Sequence, residues 1–383
     1  MATEATGSPA GASEHDGRFD LAAMRAALAL ARRGLGTVWP NPSVGCVLVN
    51  DGRVVGRGWT QPGGRPHGET EALARAGAGA RGATAYVTLE PCCHWGHTPP
   101  CADALIAAGV RQVVVAIEDP DPRVAGAGIA RLRAAGMAVE LGLCANEATE
   151  INAGFLHRQQ LGRPLVTLKL ATSLDGRIAT RGGQSQWITG PAARDRGHAL
   201  RASHDAIMVG TGTVTADDPM LTCRLPGLEA RSPVRVVLDR QSRVPATARV
   251  FADARAAPRW VVTLADANPD RQAVLRQAGV EIITAMPDGE GNLDLAAVLG
   301  LLGGRGLTRL LVEGGGRLAA ALLAADLVDR LVWMHAPLLI GDDGIPAVAA
   351  LGLDTLAAAP RFRRLSIETI GDDVLEVFAK GAG

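Results

Sequence analysis

The sequence predicts an α/β protein of two unlike domains. Three observations carry this. The chain has 383 residues, more than a single core comfortably organises. Helix-period and strand-period segments alternate through nearly all of it, the pattern of sheets flanked by helices. No period of roughly 20–50 residues relates its halves, which excludes a repeat architecture.

The elements follow in order. Residues 1–17, rich in Ala, Gly and Ser, have neither a basic start nor an apolar run and are expected to be a disordered leader, not a signal peptide. Arg18–Gly34 repeats apolar residues at helical spacing and stops at a glycine. Ser43–Trp59 reads as two strands around an Asn-Asp-Gly turn. Gly68–Ala80 is a helix, Thr84–Glu90 a strand, Cys101–Gly109 a helix and Arg111–Asp119 a strand; Gly128–Gly136 and Met137–Leu143 add a helix and a strand. This hairpin with β/α alternation predicts a mixed sheet over 18–150. A helical connection over 151–163 leads to Pro164, and a second α/β series occupies 164–383. Its strands are expected at Leu165–Thr172, Asp205–Thr213, Val234–Asp239, Arg259–Ala265, Glu281–Ala285, Arg309–Gly315 and Arg330–Pro337. Helices are expected at Arg194–His204, Asp270–Gly279, Leu293–Gly306 and Gly316–Asp326.

Composition narrows the function. Acidic and basic residues balance at 39 each and aromatics are only 3%, so neither a basic channel nor stacking platforms for nucleic acid are indicated. No apolar run approaches the ~18 residues of a membrane span. A chain without an export signal stays in the cytoplasm, where clustered Cys and His bind metal more often than they form disulfides.

Such a cluster lies between His67 and Cys101. A catalytic zinc takes three protein ligands and keeps one open position; His67 offers nitrogen, and Cys92 and Cys101 two thiolates. Glu69, two residues after His67, suits a general acid/base beside a metal-activated water. The competing reading is a closed structural zinc drawing a fourth ligand from Cys93, His94 or His97. It lacks the paired C-x₂₋₄-C knuckles of such sites and leaves Glu69 without a purpose. Cys46, Cys144 and Cys223 read as buried inert thiols.

In the second half, Arg supplies nearly all positive charge, and the only lysines are Lys169 and Lys380. A lysine kept inside a strand points to a need for a compact ammonium rather than a guanidinium fork. Ser185, Trp187, Arg201, Thr213, Asp217 and Arg224 fall around strand-to-loop junctions. The glycine run after Glu313 presents unpaired N–H groups at a helix start, suited to phosphate.

H-x-E followed by P-C…C is a base-deaminase signature. The segments EPCCHWGHTPPC and PNPSVGCVLV resemble the deaminase half of the bifunctional riboflavin-biosynthesis enzymes; LKLATSLDG, SQWITG, VGTGTVTADDPMLTCR and LVEGGG resemble the reductase half, in order. The resemblance spans roughly Phe19 to Lys380. It implies a cytidine-deaminase-like first domain that binds one zinc through His67, Cys92 and Cys101, with Glu69 as proton shuttle and Asn41 on the pyrimidine. It implies a dihydrofolate-reductase-like second domain that uses NADPH. There Ala171, Trp187, Thr213 and Asp217 become cofactor contacts, together with the segment Gly315, Gly316, Arg317, Leu318, Ala319, Ala320 and Ala321. Ser185, Arg201, Leu221, Arg224 and Glu313 become substrate contacts, and Lys169 the polar residue beside the reacting sugar carbon. Three positions depart from the family's habit: Cys93 for Ser, His97 for a basic residue that would meet the substrate phosphate, and Arg240 for Ser after Asp239. The implied partner is a phosphoribosyl pyrimidine in a homo-oligomeric enzyme, without nucleic acid or membrane. The alternative is a zinc deaminase whose second domain only binds a nucleotide.

Overall fold

The computed structural model describes residues 13–96, 99–252 and 257–381, and the chain divides into two compact units between Gln159 and Gln160. In the first unit α1 (Ser13–Ala31) is followed by the hairpin β1 (Gly45–Asn50) and β2 (Arg53–Trp59). Then come α2 (Gly68–Ala76), β3 (Thr84–Val87), α3 (Cys101–Ala107), β4 (Gln112–Val115), α4 (Ala127–Ala134), β5 (Ala138–Leu141) and α5 (Ala145–Leu161). The sheet order is β2-β1-β3-β4-β5, antiparallel through β1 and parallel from β3 onward.

Strand alternation sorts the core. Val47 and Val49 meet Met24, Ala27 and Leu28 of α1 on one face; Cys46 and Leu48 meet Ala72, Leu105 and Leu132 from α2, α3 and α4 on the other. Burying each large aliphatic side chain contributes about 1.5–3 kcal/mol. Two glycines set how closely the helices approach. A Cβ at Gly45 would lie 1.9 Å from the Ala27 carbonyl oxygen, and one at Gly58 2.1 Å from that of Gly68. The second of these brings the start of α2, and with it His67 and Glu69, down onto the sheet.

Two expectations change here. Of the leader, residues 1–12 lie outside the described residues, but Ser13–Gly17 already belong to α1. The connection over 151–163 is mostly part of the first unit, because Ile151 and Phe155 of α5 enter its cores. Of the three thiols read as buried, Cys46 and Cys223 are so, whereas Cys144 is half-buried.

The second unit runs β6 (Leu165–Ser173), β7 (Arg177–Ala179), α6 (Pro191–Ala202), β8 (Ala206–Gly210), α7 (Thr211–Asp217), β9 (Val234–Leu238) and β10 (Arg259–Leu264). It continues with α8 (Pro269–Gln277), β11 (Glu281–Ala285), α9 (Leu295–Gly304), β12 (Arg309–Val312), α10 (Gly316–Ala324) and β13 (Arg330–Ala336). The short β14 (Ile345–Pro346) pairs with β7, and the hairpin β15 (Phe362–Ile370) and β16 (Asp373–Lys380) closes the chain. The sheet order β11-β10-β9-β8-β12-β6-β13-β16-β15 is parallel from β11 to β13, with an antiparallel β16-β15 edge. Strand β12 returns between β8 and β6. The crevice beyond the carboxyl ends at that reversal is where open α/β sheets bind ligands.

Candidate active sites

In the first unit, His67 is the residue at which α2 begins, its backbone extended (φ −72°, ψ 160°). Glu69 follows in the first turn and is buried. Cys92 lies past the end of β3, and Cys101 opens α3 and donates its backbone N–H to Cys92 Sγ at 3.3 Å. His67 Nδ1 is 3.7 Å from Cys92 Sγ and 3.3 Å from Cys101 Sγ, and the three donor atoms all lie within 4.8 Å of one another. Zinc bonds of about 2.0–2.3 Å in tetrahedral array place neighbouring donors roughly 3.3–3.8 Å apart. The triad therefore fits zinc and, among the described residues, leaves a fourth position open.

The electrostatics agree with that use. Hydrogen bonds from Cys101 and His67 hold the Cys92 thiol down to about 4 despite burial. The shared proton and burial push Cys101 well up, so a metal would displace that proton. Burial lifts the Glu69 carboxyl to about 7, a range suited to taking and giving a proton near neutrality. Among the described residues its Oε2 has no hydrogen-bond partner. Cys93 is turned away, its Sγ 3.6 Å from the Arg123 carbonyl oxygen, and is outside the His-Cys-Cys group. His97 lies outside the described residues.

His67, Cys92 and Glu69 open into a cavity of about 290 Å³. Asn41 lines it, with its amide donating to the Gly64 carbonyl at 2.9 Å. Lining residues that sequence reasoning missed include Arg65, Asp119, Asp121, Arg123 and Arg158. The available signal was the run EDPDPR, which follows a strand parallel and adjacent to the one that delivers Cys92.

In the second unit, Lys169 stands on β6 with its Nζ 3.9 Å from Glu313 Oε2. Glu313 follows β12 and takes a two-point contact from Arg201, Nε and Nη2 donating at 2.8 and 2.9 Å. Arg201 also donates to the Thr222 carbonyl at 3.1 Å. Burial opposes ionisation of Glu313, but Arg201 and Lys169 override it and hold the carboxyl at about 2. A cavity of about 590 Å³ is walled by Lys169, Ala171, Ser185, Trp187, Arg201, Thr213, Asp217, Arg224, Glu313, Gly315 and Gly316. Thr213 Oγ1 accepts from the Gly315 N–H at 3.1 Å, fixing the glycine run. The remaining expected residues do not line it. Leu221 packs in the core behind, and Arg317, Leu318, Ala319, Ala320 and Ala321 continue along α10. Arg240 projects to Asn292 Oδ1 at 3.2 Å, while the Asp239 carboxylate accepts from the Val244 N–H at 2.7 Å.

Known proteins match both units. The family model for the RibD C-terminal domain matches residues 164–375, and that for the cytidine and deoxycytidylate deaminase zinc-binding region matches residues 18–117. The riboflavin biosynthesis protein RibD of Escherichia coli is 44% identical, with 92% of this chain and 96% of that protein covered. Its namesake from Bacillus amyloliquefaciens is 42% identical over 92% of this chain and 94% of its own length. Among solved structures, Acinetobacter baumannii RibD has a TM-score of 0.86 at 39% identity, covering 95% of this chain and 99% of that one. A diaminohydroxyphosphoribosylaminopyrimidine deaminase/5-amino-6-(5-phosphoribosylamino)uracil reductase from Thermotoga maritima has a TM-score of 0.84 at 34% identity, covering 96% and 100%. The His-Cys-Cys triad and the Lys169–Glu313 crevice thus lie inside the two regions these proteins share, and the chain belongs to the RibD family of bifunctional riboflavin-biosynthesis enzymes, a zinc deaminase joined to an NADPH-dependent reductase.

Proposed function

We propose that residues 18–150 hydrolyse the 2-amino group of 2,5-diamino-6-(5-phosphoribosylamino)pyrimidin-4-one. Residues 164–383 then reduce C1′ of the resulting 5-amino-6-(5-phosphoribosylamino)uracil to the ribityl product. His67, Cys92 and Cys101 hold the zinc, which supplies a Lewis acid that makes water nucleophilic near neutral pH. Glu69 takes the proton of the attacking water and returns it to the departing ammonia. Its burial beside His67 and Cys92, with Oε2 left unpartnered among the described residues, and its raised pKa support that double duty. Asn41 contacts the pyrimidine from the cavity wall.

In the second site NADPH supplies the hydride. Lys169 presents its ammonium to the sugar oxygen, held by Glu313. Arg201 anchors Glu313, and Ser185 and Arg224 meet the substrate, with Leu221 shaping the wall from behind. Ala171, Trp187, Thr213, Asp217 and the stretch from Gly315 to Ala321 serve the cofactor, the two glycines by direct approach and the rest of the helix by support. The observation that carries the reading is the fit of His67, Cys92 and Cys101 to one metal, with Glu69 beside it.

The enzyme acts in the cytoplasm, a placement supported by its six free cysteines. It assembles as a homo-oligomer. The edge strand β15 supports this: it has no partner on its outer side among the described residues and exposes Leu365 and Ile367. The deciding experiment is incubation with the diaminopyrimidine, with and without NADPH, and resolution of products by mass. Deamination alone without NADPH, followed by reduction when NADPH is added, is expected. Deaminated product that NADPH never reduces would reassign the second unit as a nucleotide-binding module.

A further inference from the structure

We propose that Arg194 positions the Trp187 ring in the reductase cavity and, acting through it, makes that cavity prefer NADPH over NADP⁺. The inference deepens the reading of Trp187 as a cofactor contact and rests on it. Trp187 stands at the tip of a turn that the Ile188 N–H closes on the Ser185 carbonyl at 3.2 Å. It lines the larger cavity and yet is 65% exposed. A flat apolar ring left open on a cavity wall suits a flat ligand.

Arg194 covers one face of that ring. Its Cζ lies 4.7 Å from the indole centroid, inside the ~6 Å range of a cation–π contact. Arg194 lines the same cavity, and its Nη1 donates to the Thr189 carbonyl at 2.9 Å, which fixes the guanidinium. Helix α6, which carries it, is itself anchored at its start. The Gly190 N–H donates to the carboxylate of buried Asp373 on β16 at 2.7 Å. The pair is thus set before any ligand arrives, and such preorganisation reduces the ordering cost of binding. The exposure of Trp187 leaves the other face of the indole open.

The chemistry of the two cofactor forms then decides the preference. Giving up hydride turns a neutral, electron-rich dihydronicotinamide ring into a cationic one. An indole face is rich in electron density and attracts cations, so Trp187 alone would favour the oxidised product. A guanidinium on the opposite face draws that density away. The open face becomes a poorer partner for a second cation and a better one for the neutral reduced ring. Arg194 therefore loosens the form that must leave relative to the form that must react, at a step, product release, that limits many enzymes.

The test is a calorimetric binding cycle on the full-length zinc enzyme, without substrate. Kd is measured for NADPH and for NADP⁺ in wild type, Arg194→Gln, Arg194→Met and Arg194→Lys, and again for Arg194→Gln combined with Trp187→Leu. An unchanged number of NADPH sites per chain reports that each variant is intact, and either neutral variant suffices. Wild type should bind NADPH more tightly than NADP⁺. Arg194→Gln and Arg194→Met should narrow that preference about 3- to 10-fold, the range of a partly desolvated cation–π contact, and Arg194→Lys should keep most of it. With Trp187→Leu in place, Arg194→Gln should move the preference by less than about twofold, because the ring that transmits the effect is gone. Equal weakening of both forms by Arg194→Gln would show a structural role, and a change of preference that survives without the indole would show a direct charge effect. Either overturns the proposal, as does a preference that Arg194→Gln leaves intact. Trp187→Leu that alters neither Kd would overturn the placement of Trp187 at the cofactor, and this inference with it.

Discussion

At the scale of single residues, the two sites use burial in opposite ways. Glu69 is buried beside the proposed metal and its carboxyl rises to about 7; Glu313 is largely buried beside Arg201 and Lys169 and falls to about 2. The first can exchange a proton at working pH, and the second stays ionised to hold a cation in place. Glu69→Gln should therefore keep zinc, measured by metal analysis, and lose deamination about 10²-fold or more. Zinc lost in stoichiometric amount would make Glu69 a ligand instead. Cys92→Ser and Cys101→Ser should each strip the metal, whereas Cys93→Ser should keep metal and activity, since the Cys93 sulfur faces the Arg123 carbonyl. Lys169→Arg and Lys169→Met should both lose reductase turnover while NADPH affinity holds. Guanidinium is bulkier, planar and never gives up its proton, and misplacing the charge by about an ångström costs on the order of 10²-fold. Steady-state NADPH oxidation within about threefold of wild type for Lys169→Arg would remove Lys169 from the chemistry.

At the scale of elements, distant side chains do work that local sequence does not announce. Helix α4 starts at Gly126, which has no side chain to cap it. Buried Glu90 caps it from afar, accepting the Gly126 N–H at 3.0 Å, the Ile129 N–H at 3.0 Å and the Asp119 N–H at 3.2 Å. Glu90→Gln turns an amide toward those donors and should lower the stability of the first unit by about 1–3 kcal/mol. Denaturation followed separately by loss of deaminase and of reductase activity should move only the former. Similarly, His204 joins α6 to β6, its ring nitrogens 2.7 Å from the Leu200 carbonyl oxygen and 3.0 Å from Thr167 Oγ1. Burial, helped by Arg309, holds it neutral down to about pH 4. The unfolded chain binds that proton near pH 6.5, so the stability it confers is present above pH 6.5 and lost as pH falls toward 4, about 3 kcal/mol in all. Wild type should lose more stability on acidification than His204→Gln; parallel curves would assign the acid sensitivity elsewhere. Elements with strong periodicity were legible in the sequence, as was the His67-Cys92-Cys101 group. Helix α7 was not, because its Thr- and Gly-rich sequence has poor helix propensity and is anchored by the Thr211 hydroxyl on the Leu238 carbonyl. The β15-β16 hairpin was also missed, since alternating Arg, Ser and Glu hide an edge strand. Arg65 and Arg158 were invisible as cavity residues for a different reason: only the fold brings their segments to one cavity.

At the scale of the whole molecule, the question is whether two activities in one chain need each other. Every described residue that lines the first cavity falls between Pro40 and Gln159, and every one that lines the second between Lys169 and Ile345. Each unit also has its own sheet and its own apolar core. The side chains proposed to touch metal, substrate and cofactor thus all come from within one unit at each site, and a lesion in one site should act as a simple block of one step. Glu69→Gln should reduce the deaminated ribosyl compound at close to the wild-type rate, and Lys169→Met should deaminate the diamino compound at close to the wild-type rate. Mixed in equal amounts with the diamino compound and NADPH, the two variants should then make the fully reduced product that neither makes alone. Released intermediate would carry the reaction from one active site to the other, so the rate should rise with the concentration of the Glu69→Gln partner until deamination limits. Two outcomes would sink this independence. One is a Glu69→Gln enzyme, folded and binding NADPH, that cannot reduce the deaminated compound, because the reductase site would then need the first. The other is a mixture in which each single reaction runs but reduced product never accumulates, because the intermediate would then have to stay on the chain that made it.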